Sequence, residues 1–392
     1  MNINRTNKFR ILMLAEKYPP VYSGAGHQAY SLSKTLAKLG HQVIVLTQLQ
    51  RGLAKKENQD GFQVVRLKSI GGRVLFSYLF GIKAGLWLLF RWKRFDILHI
   101  HGINLWGLPA MLIARLTGIK IVAKMTLLGE DDPPGLEKMK FGKLRKKVYL
   151  FPHKVIALTQ AQIEQYRQSE FADHKLVQIP NGVDLKRYFP VSAAAKMELR
   201  KKLNLPADKN IALFVGKISV RKGVPVLIDA WSNFLQNENI MLCLVGPDNI
   251  EKEFSHQIRI QIKEKNLENQ IIMAGNKKNI AEYMQAADLF VLPSEREGLP
   301  NSLLEAMACG LPCIVAAMPE YETIFRSDPP VLKMIHEINS AKLAAAILEL
   351  MDLKMKSAIG SGAHQFIASH LSIEKIAGQY EKLYGQLIHK KQ

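Results

Sequence analysis

Short apolar runs alternate with longer amphipathic stretches along the whole chain. Residues 9–15 form the first apolar run, a loop rich in proline and glycine follows, and residues 27–39 then have helical spacing that stops at Gly40. The alternation continues to a last amphipathic helix predicted at residues 373–391. This pattern predicts strand–helix–strand units around parallel sheets, so we expect an α/β fold.

The predicted strands fall into two series separated by a proline- and alanine-rich segment, residues 190–206, which we interpret as a linker. The first series has strands at residues 9–15, 43–47, 63–66, 97–100, 119–124 and 154–158. The second has strands at residues 211–215, 241–245, 271–274, 289–292 and 312–315. Two Rossmann-like domains of similar size, facing across a cleft, are therefore predicted, with ligands at the carboxyl ends of the strands.

Composition excludes several classes of protein. The 392 residues are 48% hydrophobic and 22% charged, as in ordinary globular proteins. Three cysteines are too few for a disulfide framework, which fits a reducing cytosol. The first apolar run is too short for a signal peptide, and charged residues interrupt the longest one, residues 74–92, so we predict no membrane span.

The net charge of the chain is concentrated in its first half. The formal net charge is +20, and residues 1–190 hold 30 basic and 12 acidic side chains against 24 and 22 in residues 191–392. The first half thus carries +18, with its densest cluster at residues 138–147. Such an excess indicates nucleic acid, an anionic membrane or a phosphorylated substrate as partner, or simply a solvated basic face.

The most informative chemical motif is at residues 293–306, where a predicted strand passes through a Gly-x-Pro turn into a helix. Glu297 lies at the carboxyl edge of the sheet, and Glu305 lies about one turn into the helix. A helix start binds phosphate through its N–H groups and dipole, and flanking carboxylates can accept hydrogen bonds from sugar hydroxyls. Two acids that merely favour the helix dipole are the alternative.

In its full context, Glu297-x7-Glu305 resembles the signature of the family 4 glycosyltransferases, which are retaining enzymes with the GT-B fold. Further matching segments occur in the family's order: the Gly24/Gly26 loop and residues 96–101, 179–184, 215–223, 244–246, 271–275 and 287–288. The resemblance implies an acceptor domain at residues 1–189, a nucleotide-sugar domain at residues 190–370, and a C-terminal helix, 371–392, that packs back on the first domain.

The resemblance also assigns roles to residues. It implies that His101, Glu297 and Lys222 are catalytic: His101 and Glu297 contact the transferred sugar, and Lys222 neutralises the diphosphate as charge develops on it. Glu305 is expected to hold the ribose. The remaining donor-binding residues are Gly24, Gly26, Lys217, Gly298, Leu299, Pro300 and Asn301. Lys217 departs from the family's usual Arg and lacks its planar fork.

The acidic run Glu130-Asp131-Asp132 could suggest a metal-dependent transferase, but the resemblance implies a metal-independent enzyme without a cofactor. We therefore predict no metal and assign Glu130 and Asp131 to the acceptor. Here the chain departs from the family's Thr-x-His, and residues 326–330 replace its usual glycine turn. The hexose, the base and the acceptor stay open, although a UDP- or GDP-linked donor is implied.

The predicted function is transfer of a hexose or hexose derivative to a glycan or lipid-linked acceptor, in polysaccharide or glycolipid biosynthesis. Alternatives are a sugar-nucleotide epimerase or hydrolase on the same fold, and a basic nucleic-acid-binding protein, for which no recognition motif is present. The basic first half then predicts a cytoplasmic enzyme attached peripherally to the inner face of the cytoplasmic membrane, with no specific nucleic-acid partner.

Overall fold

The computed structural model describes residues 8–68, 73–169 and 171–389, and the chain forms two compact units. Residues up to Gly182 and from Ile373 onward form the N-terminal unit, and Val183–Ser372 form the C-terminal unit. Gly182 stays with the first unit because Gln28 Nε2 donates to its carbonyl at 3.0 Å. Val183 pairs instead with Ser372. The chain therefore leaves the first unit before the predicted boundary at 189/190.

The N-terminal unit is built on an eight-stranded sheet with the order β3-β4-β2-β1-β5-β6-β7-β8. Its strands are β1 (Arg10–Ala15), β2 (Gln42–Gln48), β3 (Lys56–Gln59), β4 (Phe62–Leu67), β5 (Ile97–His101), β6 (Lys120–Lys124), β7 (Lys154–Ala157) and β8 (Leu176–Gln178). All neighbours are parallel except β3 and β4. The six predicted strands are confirmed within one residue at each end, and the edge strands β3 and β8 are additions.

Helices connect these strands: α1 (Gly24–Lys38), α2 (Arg73–Leu89), α3 (Leu108–Leu116), α4 (Pro133–Glu137), α5 (Gly142–Lys146) and α6 (Gln160–Arg167). Helix α2 buries Phe80, Ala84 and Leu88, which are spaced four residues apart and so share one face, in the core beneath the sheet. This packing holds β1 and β5 in the centre of the unit, where both faces of each strand are covered.

The C-terminal unit has a six-stranded parallel sheet with the order β11-β10-β9-β12-β13-β14. Its strands are β9 (Asn210–Val215), β10 (Ile240–Val245), β11 (Ile271–Gly275), β12 (Leu289–Leu292), β13 (Cys313–Ala316) and β14 (Lys333–Ile335). Its helices are α7 (Ala193–Leu203), α8 (Val224–Ala230), α9 (Lys252–Glu264), α10 (Ile280–Ala286), α11 (Asn301–Ala308), α12 (Pro319–Ile324), α13 (Ser340–Glu349) and α14 (Leu353–His370).

The predicted linker at residues 190–206 is wrong in its centre, because helix α7 lies there. Ser192 caps this helix by accepting from Ala195 N at 3.2 Å. Buried Arg200 pairs with Asp288, and Lys196 Nζ lies 3.2 Å from the same carboxylate. Alanine, leucine and long charged residues favour helix, and this propensity outweighs the flanking prolines.

The C-terminal helix, α15 (Ile373–His389), packs on the N-terminal unit, as predicted. Its buried face includes Tyr380 and Tyr384, and Glu381 Oε1 lies 2.8 Å from His41 Nε2. The last predicted helical residues, 390 and 391, lie outside the described part of the chain. No helix among the described residues is long and apolar enough to cross a bilayer.

Candidate active site

In the C-terminal unit, a short turn and the loop after β12 are held against each other. The turn Val220–Lys222 ends at Gly223, whose φ of 74° is left-handed. A Cβ on Gly223 would collide with the carbonyl oxygen of Pro293, so only glycine lets the two segments approach. Glu295 N donates to Arg221 O at 2.9 Å, which ties the loop to the turn.

This close approach creates a buried ion pair. Lys222 Nζ lies 2.6 Å from Glu297 Oε1, and the two residues are 8% and 5% exposed. Burial lowers the pKa of Lys222, and the Glu297 carboxylate opposes this effect. Arg221 is a more distant cation, 3.7 Å from the same oxygen. Charges at this depth are costly unless paired, and such buried pairs are concentrated at functional sites, so the pair is a candidate for the active site.

Residues Gly298 to Asn301 lead directly into helix α11. Pro300 is the cap residue and makes no side-chain cap, so the helix start presents its backbone N–H groups and positive dipole end next to Glu297. Leu299 and Pro300 are buried and fix the path of the loop. The arrangement suits a phosphate group.

Glu305 is buried inside α11, and burial raises the pKa of its carboxyl to about 7. Two neighbours moderate this rise: the positive charge of Arg187, and the Tyr188 hydroxyl, which donates a hydrogen bond to the carboxylate. Lys217 is half-buried and pairs with Glu251, with Nζ 2.6 Å from Oε1. The structure thus gathers Lys222, Glu297 and the start of α11, while Lys217 has its own carboxylate partner.

The N-terminal unit has a pocket of about 270 Å³ at the carboxyl ends of β1, β5 and β6. Ser23 and Ala25 at the start of α1 line it, together with Lys17, His101 and Glu130. Ser23 caps α1 by accepting from Gly26 N at 3.1 Å. A Cβ on Gly26 would collide with the carbonyl oxygen of Lys17, so this glycine allows α1 to begin close to the strand end, and Gly24 begins the helix.

His101 is 2% exposed, and neither of its ring nitrogens hydrogen-bonds to any described residue. Burial above all, and then the closeness of His99 and Lys124, lowers the pKa of His101 well below its usual value, so the imidazole is neutral. A neutral imidazole has one donor and one acceptor nitrogen. Two buried ring nitrogens without a partner among the described residues are costly for folding, which makes His101, at the edge of this pocket, a candidate functional residue.

Asp131 lies at the same pocket, but its carboxylate already accepts several bonds from its own chain. Its donors are Thr126 N and Oγ1 at 2.7–2.9 Å and Leu127 N at 2.8 Å. Burial raises the pKa of Asp131 to about 6 despite these bonds. Glu130 is exposed beside it. The geometry favours Asp131 as the residue that shapes the loop and Glu130 as the residue available to a ligand.

Several residues near the two sites escaped the sequence analysis. Tyr188 hydrogen-bonds to Glu305, and Arg187 lies close enough for its charge to act on that carboxyl. Buried Tyr321 lies close enough to Glu297 to feel its charge, and Tyr384 hydrogen-bonds to His99. None has a pattern of its own in the sequence, because these neighbours are separated by tens to hundreds of residues. The position of Arg187-Tyr188 just after the 179–184 segment is the only local signal.

Comparison with known proteins identifies the family and the fold. The model of the family described as "Glycosyltransferase Family 4" matches residues 22–187, and that of "Glycosyl transferases group 1" matches residues 195–365. The N-acetyl-alpha-D-glucosaminyl L-malate synthase of Bacillus anthracis is 26% identical over 381 residues, which cover 95% of this chain and 96% of that protein.

A second relative is the UDP-Gal:alpha-D-GlcNAc-diphosphoundecaprenol alpha-1,3-galactosyltransferase of Escherichia coli, 25% identical over 77% of this chain and 78% of its own. Among solved structures, sucrose-phosphate synthase from Thermosynechococcus elongatus has the same fold, with a TM-score of 0.83, 22% identity and coverage of 97% of this chain and 100% of that one. The fold is therefore GT-B, and the chain belongs to the family 4 glycosyltransferases.

Proposed function

We propose that this glycosyltransferase moves a hexose or hexose derivative, with retention of anomeric configuration, from a UDP- or GDP-sugar to a glycan or lipid-linked acceptor. The observation that carries the proposal is the buried Lys222–Glu297 pair beside the start of α11. The pair and the helix start offer a cation, a carboxylate and backbone donors, which match the diphosphate and the sugar hydroxyls of a nucleotide sugar.

Each part of the nucleotide sugar then has a partner in the C-terminal unit. The Glu297 carboxylate accepts from hexose hydroxyls and the Glu305 carboxylate from ribose hydroxyls, while Gly298 to Asn301 meet the diphosphate. Lys222 has three N–H donors, so it can keep its bond to Glu297 and still reach a phosphate oxygen. Lys217 is assigned to the diphosphate as a second cation, which requires that it exchange its partner Glu251 for a phosphate oxygen.

The chemistry follows from where charge develops. When the bond between the anomeric carbon and the diphosphate oxygen breaks, the diphosphate gains negative charge, which Lys222 and the dipole of α11 stabilise more in the transition state than in the ground state. The acceptor hydroxyl attacks the same face, and its proton passes to the departing phosphate. No protein nucleophile is required by this sequence of steps.

In the N-terminal unit, we propose that the acceptor binds in the pocket beside Glu130. Neutral His101 is assigned to the transferred sugar, to which it can both donate and accept a hydrogen bond. Gly24 and Gly26 place the start of α1 at the same pocket.

A panel of UDP-, GDP- and ADP-sugars tests the donor assignment by thermal shift, since a ligand that binds only the folded protein raises its melting temperature. We expect one nucleotide class to raise it in the wild type, and Glu297→Gln to lose most of the shift caused by the sugar moiety. Glu268→Gln is the matched control, because Glu268 is an exposed glutamate at the amino end of β11, the edge of the sheet opposite to Glu297. A wild-type protein that no nucleotide sugar stabilises would contradict the proposal.

We also propose peripheral attachment to an anionic membrane through one face of the N-terminal unit. Helices α2 and α3 and the segment after α4 expose large apolar side chains together, which we call the apolar face: Leu75, Ile82, Leu86, Leu89, Phe90, Leu112, Leu116, Phe141, Leu144 and Leu150. Phe90 and Leu116 are 79% and 83% exposed. Soluble proteins rarely expose so large an apolar patch without a partner.

Hydrogen bonds join the parts of this face. Arg145 donates to Tyr78 Oη of α2 at 2.7 Å, and Arg115 of α3 donates to Phe151 O at 2.7 Å. The same segments also carry basic side chains between the apolar ones, namely Lys83, Arg91, Lys93, Arg94, Lys138, Lys140, Lys143, Lys146 and Lys147. At about 1 kcal/mol per basic residue near an anionic leaflet, a few of them would hold the protein at the surface.

The face adjoins the acceptor pocket, which supports a lipid-linked acceptor. Arg145 also donates to Asn104 Oδ1 at 2.8 Å, and Asn104 and Met139 line the pocket. An acceptor whose lipid lies in the bilayer could thus present its head group to Glu130 and His101. The Escherichia coli relative is named for a diphosphoundecaprenol-linked acceptor, which agrees with this class.

Vesicle flotation tests the attachment. We expect binding to vesicles with anionic lipid at low salt and loss of binding in Phe90→Glu and Leu116→Glu. Phe234→Glu replaces a 48% exposed phenylalanine of the C-terminal unit and serves as the matched control. Equal flotation of all three variants, or no preference for anionic over zwitterionic vesicles, would contradict the assignment.

A further inference from the structure

The C-terminal helix α15 reaches the histidine pair at the end of β5. Tyr384 Oη lies 2.7 Å from His99 Nδ1, and the ring of Tyr380 lies 5.0 Å from that of His99. His99, Tyr380 and Tyr384 are all completely buried. A segment more than 280 residues away in sequence therefore completes the surroundings of His99.

The hydrogen bond selects one form of His99. Burial, then the charge of Lys124, lowers the pKa of His99 well below its usual value, so the ring is neutral and has a single N–H. If Nδ1 carried that hydrogen, the Tyr384 hydroxyl would lack an acceptor and His99 Nε2 would also go unsatisfied, because no described residue bonds to it. Donation from Tyr384 to Nδ1 leaves only one unsatisfied group, the Nε2–H, and therefore has the lower free energy.

His99 in turn supports His101. Their rings stack with centroids 4.5 Å apart and planes inclined by 25°. The nitrogens of His101 hydrogen-bond to nothing in the described part of the chain, so packing orients its ring, and the stack on His99 is the ring–ring contact that it makes there. A change in the plane of His99 would therefore be passed to His101 in the pocket.

We propose that Tyr384 is a positioning residue for His101: its hydroxyl fixes the tautomer and ring plane of His99, and the stacked His99 sets the orientation of His101. The inference rests on the role assigned to His101 under the proposed function. It gives the C-terminal helix a part in the reaction, beyond its part in holding the N-terminal unit together.

The two tyrosines of α15 provide a matched experiment. Tyr384→Phe removes the hydroxyl that bonds to His99, whereas Tyr380→Phe removes an equally buried hydroxyl that has no hydrogen-bond partner among the described residues. We expect Tyr384→Phe to lower kcat about tenfold with little change in KM for the donor, which corresponds to the loss of one buried hydrogen bond. Tyr380→Phe should keep wild-type kcat, and both variants should melt as cooperatively as the wild type.

Two further readouts separate positioning from a structural role. In protein labelled with ¹⁵N-histidine, His99 should show an acceptor Nδ1 in the wild type and in Tyr380→Phe, and a changed tautomer signal in Tyr384→Phe. In a His101→Phe background, Tyr384→Phe should cause no further loss of kcat. If His101→Phe alone leaves activity intact, the proposed role of His101 fails, while the histidine spectrum still tests the bond to Tyr384.

Equal kcat for the two tyrosine variants would overturn the inference, whether both match the wild type or both fall together with the melting temperature. An unchanged His99 spectrum in Tyr384→Phe would overturn it as well.

Discussion

Replacement of Lys222 by Met keeps the length of the side chain and removes its charge, leaving the Glu297 carboxylate buried without its 2.6 Å partner. Breaking a buried pair from one side costs about 3–5 kcal/mol. Because Arg221 remains 3.7 Å away, we expect the lower end of that range, about 3 kcal/mol. Loss of the cation from the transition state should lower kcat by a further, separate factor of about 10²–10³.

Denaturant unfolding and steady-state kinetics measure the two effects, and a double variant separates them. Lys222→Met/Glu297→Gln removes both charges, so its stability should return to within about 1 kcal/mol of the wild type. Its activity should stay at the level of the single variant. Arg221→Met is the control, because Arg221 is more exposed and farther from Glu297, and it should cost less than about 1 kcal/mol.

Recovery of activity in the double variant would refute the reasoning, since it would show that Lys222 serves only to neutralise Glu297. A Lys222→Met protein with wild-type stability and kcat would refute both the energetic and the catalytic parts.

Three other predictions concern single residues. Because the folded-state pKa of Glu305 is raised from 4.5 to about 7, its ionisation destabilises the fold as pH rises through that window. Glu305→Gln should therefore raise the free energy of unfolding by up to about 3 kcal/mol at pH 8 and leave it unchanged below pH 4.5. Denaturant unfolding across this pH range measures the effect. Donor affinity in the wild type should weaken below pH 7 as this carboxylate protonates, and a flat affinity from pH 6 to pH 8 would count against its role at the ribose. Asp131→Asn should cost about 1–3 kcal/mol, because an amide cannot accept all the bonds from Thr126 and Leu127, with unfolding as the assay and Glu130→Gln as the near-neutral control. Gly223→Ala should cost about 1–3 kcal/mol from its left-handed backbone alone, and more because its Cβ would collide with the carbonyl oxygen of Pro293. It should also lower activity by displacing Lys222, whereas Gly378→Ala, in α15 with open space around it, should be tolerated in both assays.

The central strands could be predicted because their residues are buried on both faces and form continuous apolar runs. Strand β12 matches its predicted bounds, 289–292, residue for residue. Edge strands lack this signal: β3 is the polar segment Lys56–Gln59, and only the hairpin turn at Asp60-Gly61, with both residues at positive φ, marks it in the sequence.

The contacts in the site also fall into two kinds, those within one sequence motif and those between distant segments. Glu297, Glu305 and the start of α11 lie in one continuous motif, so their proximity follows from a strand, a turn and a helix. The contacts of Lys222 with Glu297 and of Tyr384 with His99 join segments 75 and 285 residues apart, and no local pattern encodes them. Asp131 shows a further limit, because its place after a strand suggested an acceptor contact whereas its carboxylate accepts hydrogen bonds from Thr126 and Leu127 of its own loop.

The central claim, transfer of a sugar from a nucleotide donor at the Glu297 site, is tested most directly by following a labelled donor in the presence of membrane lipid extract. The account predicts that each nucleoside diphosphate released is matched by one labelled sugar in the lipid or glycan fraction, joined in the donor's anomeric configuration, and that Glu297→Gln abolishes both. Label recovered only as free sugar or as an isomeric nucleotide sugar, or full transfer by Glu297→Gln, would contradict it.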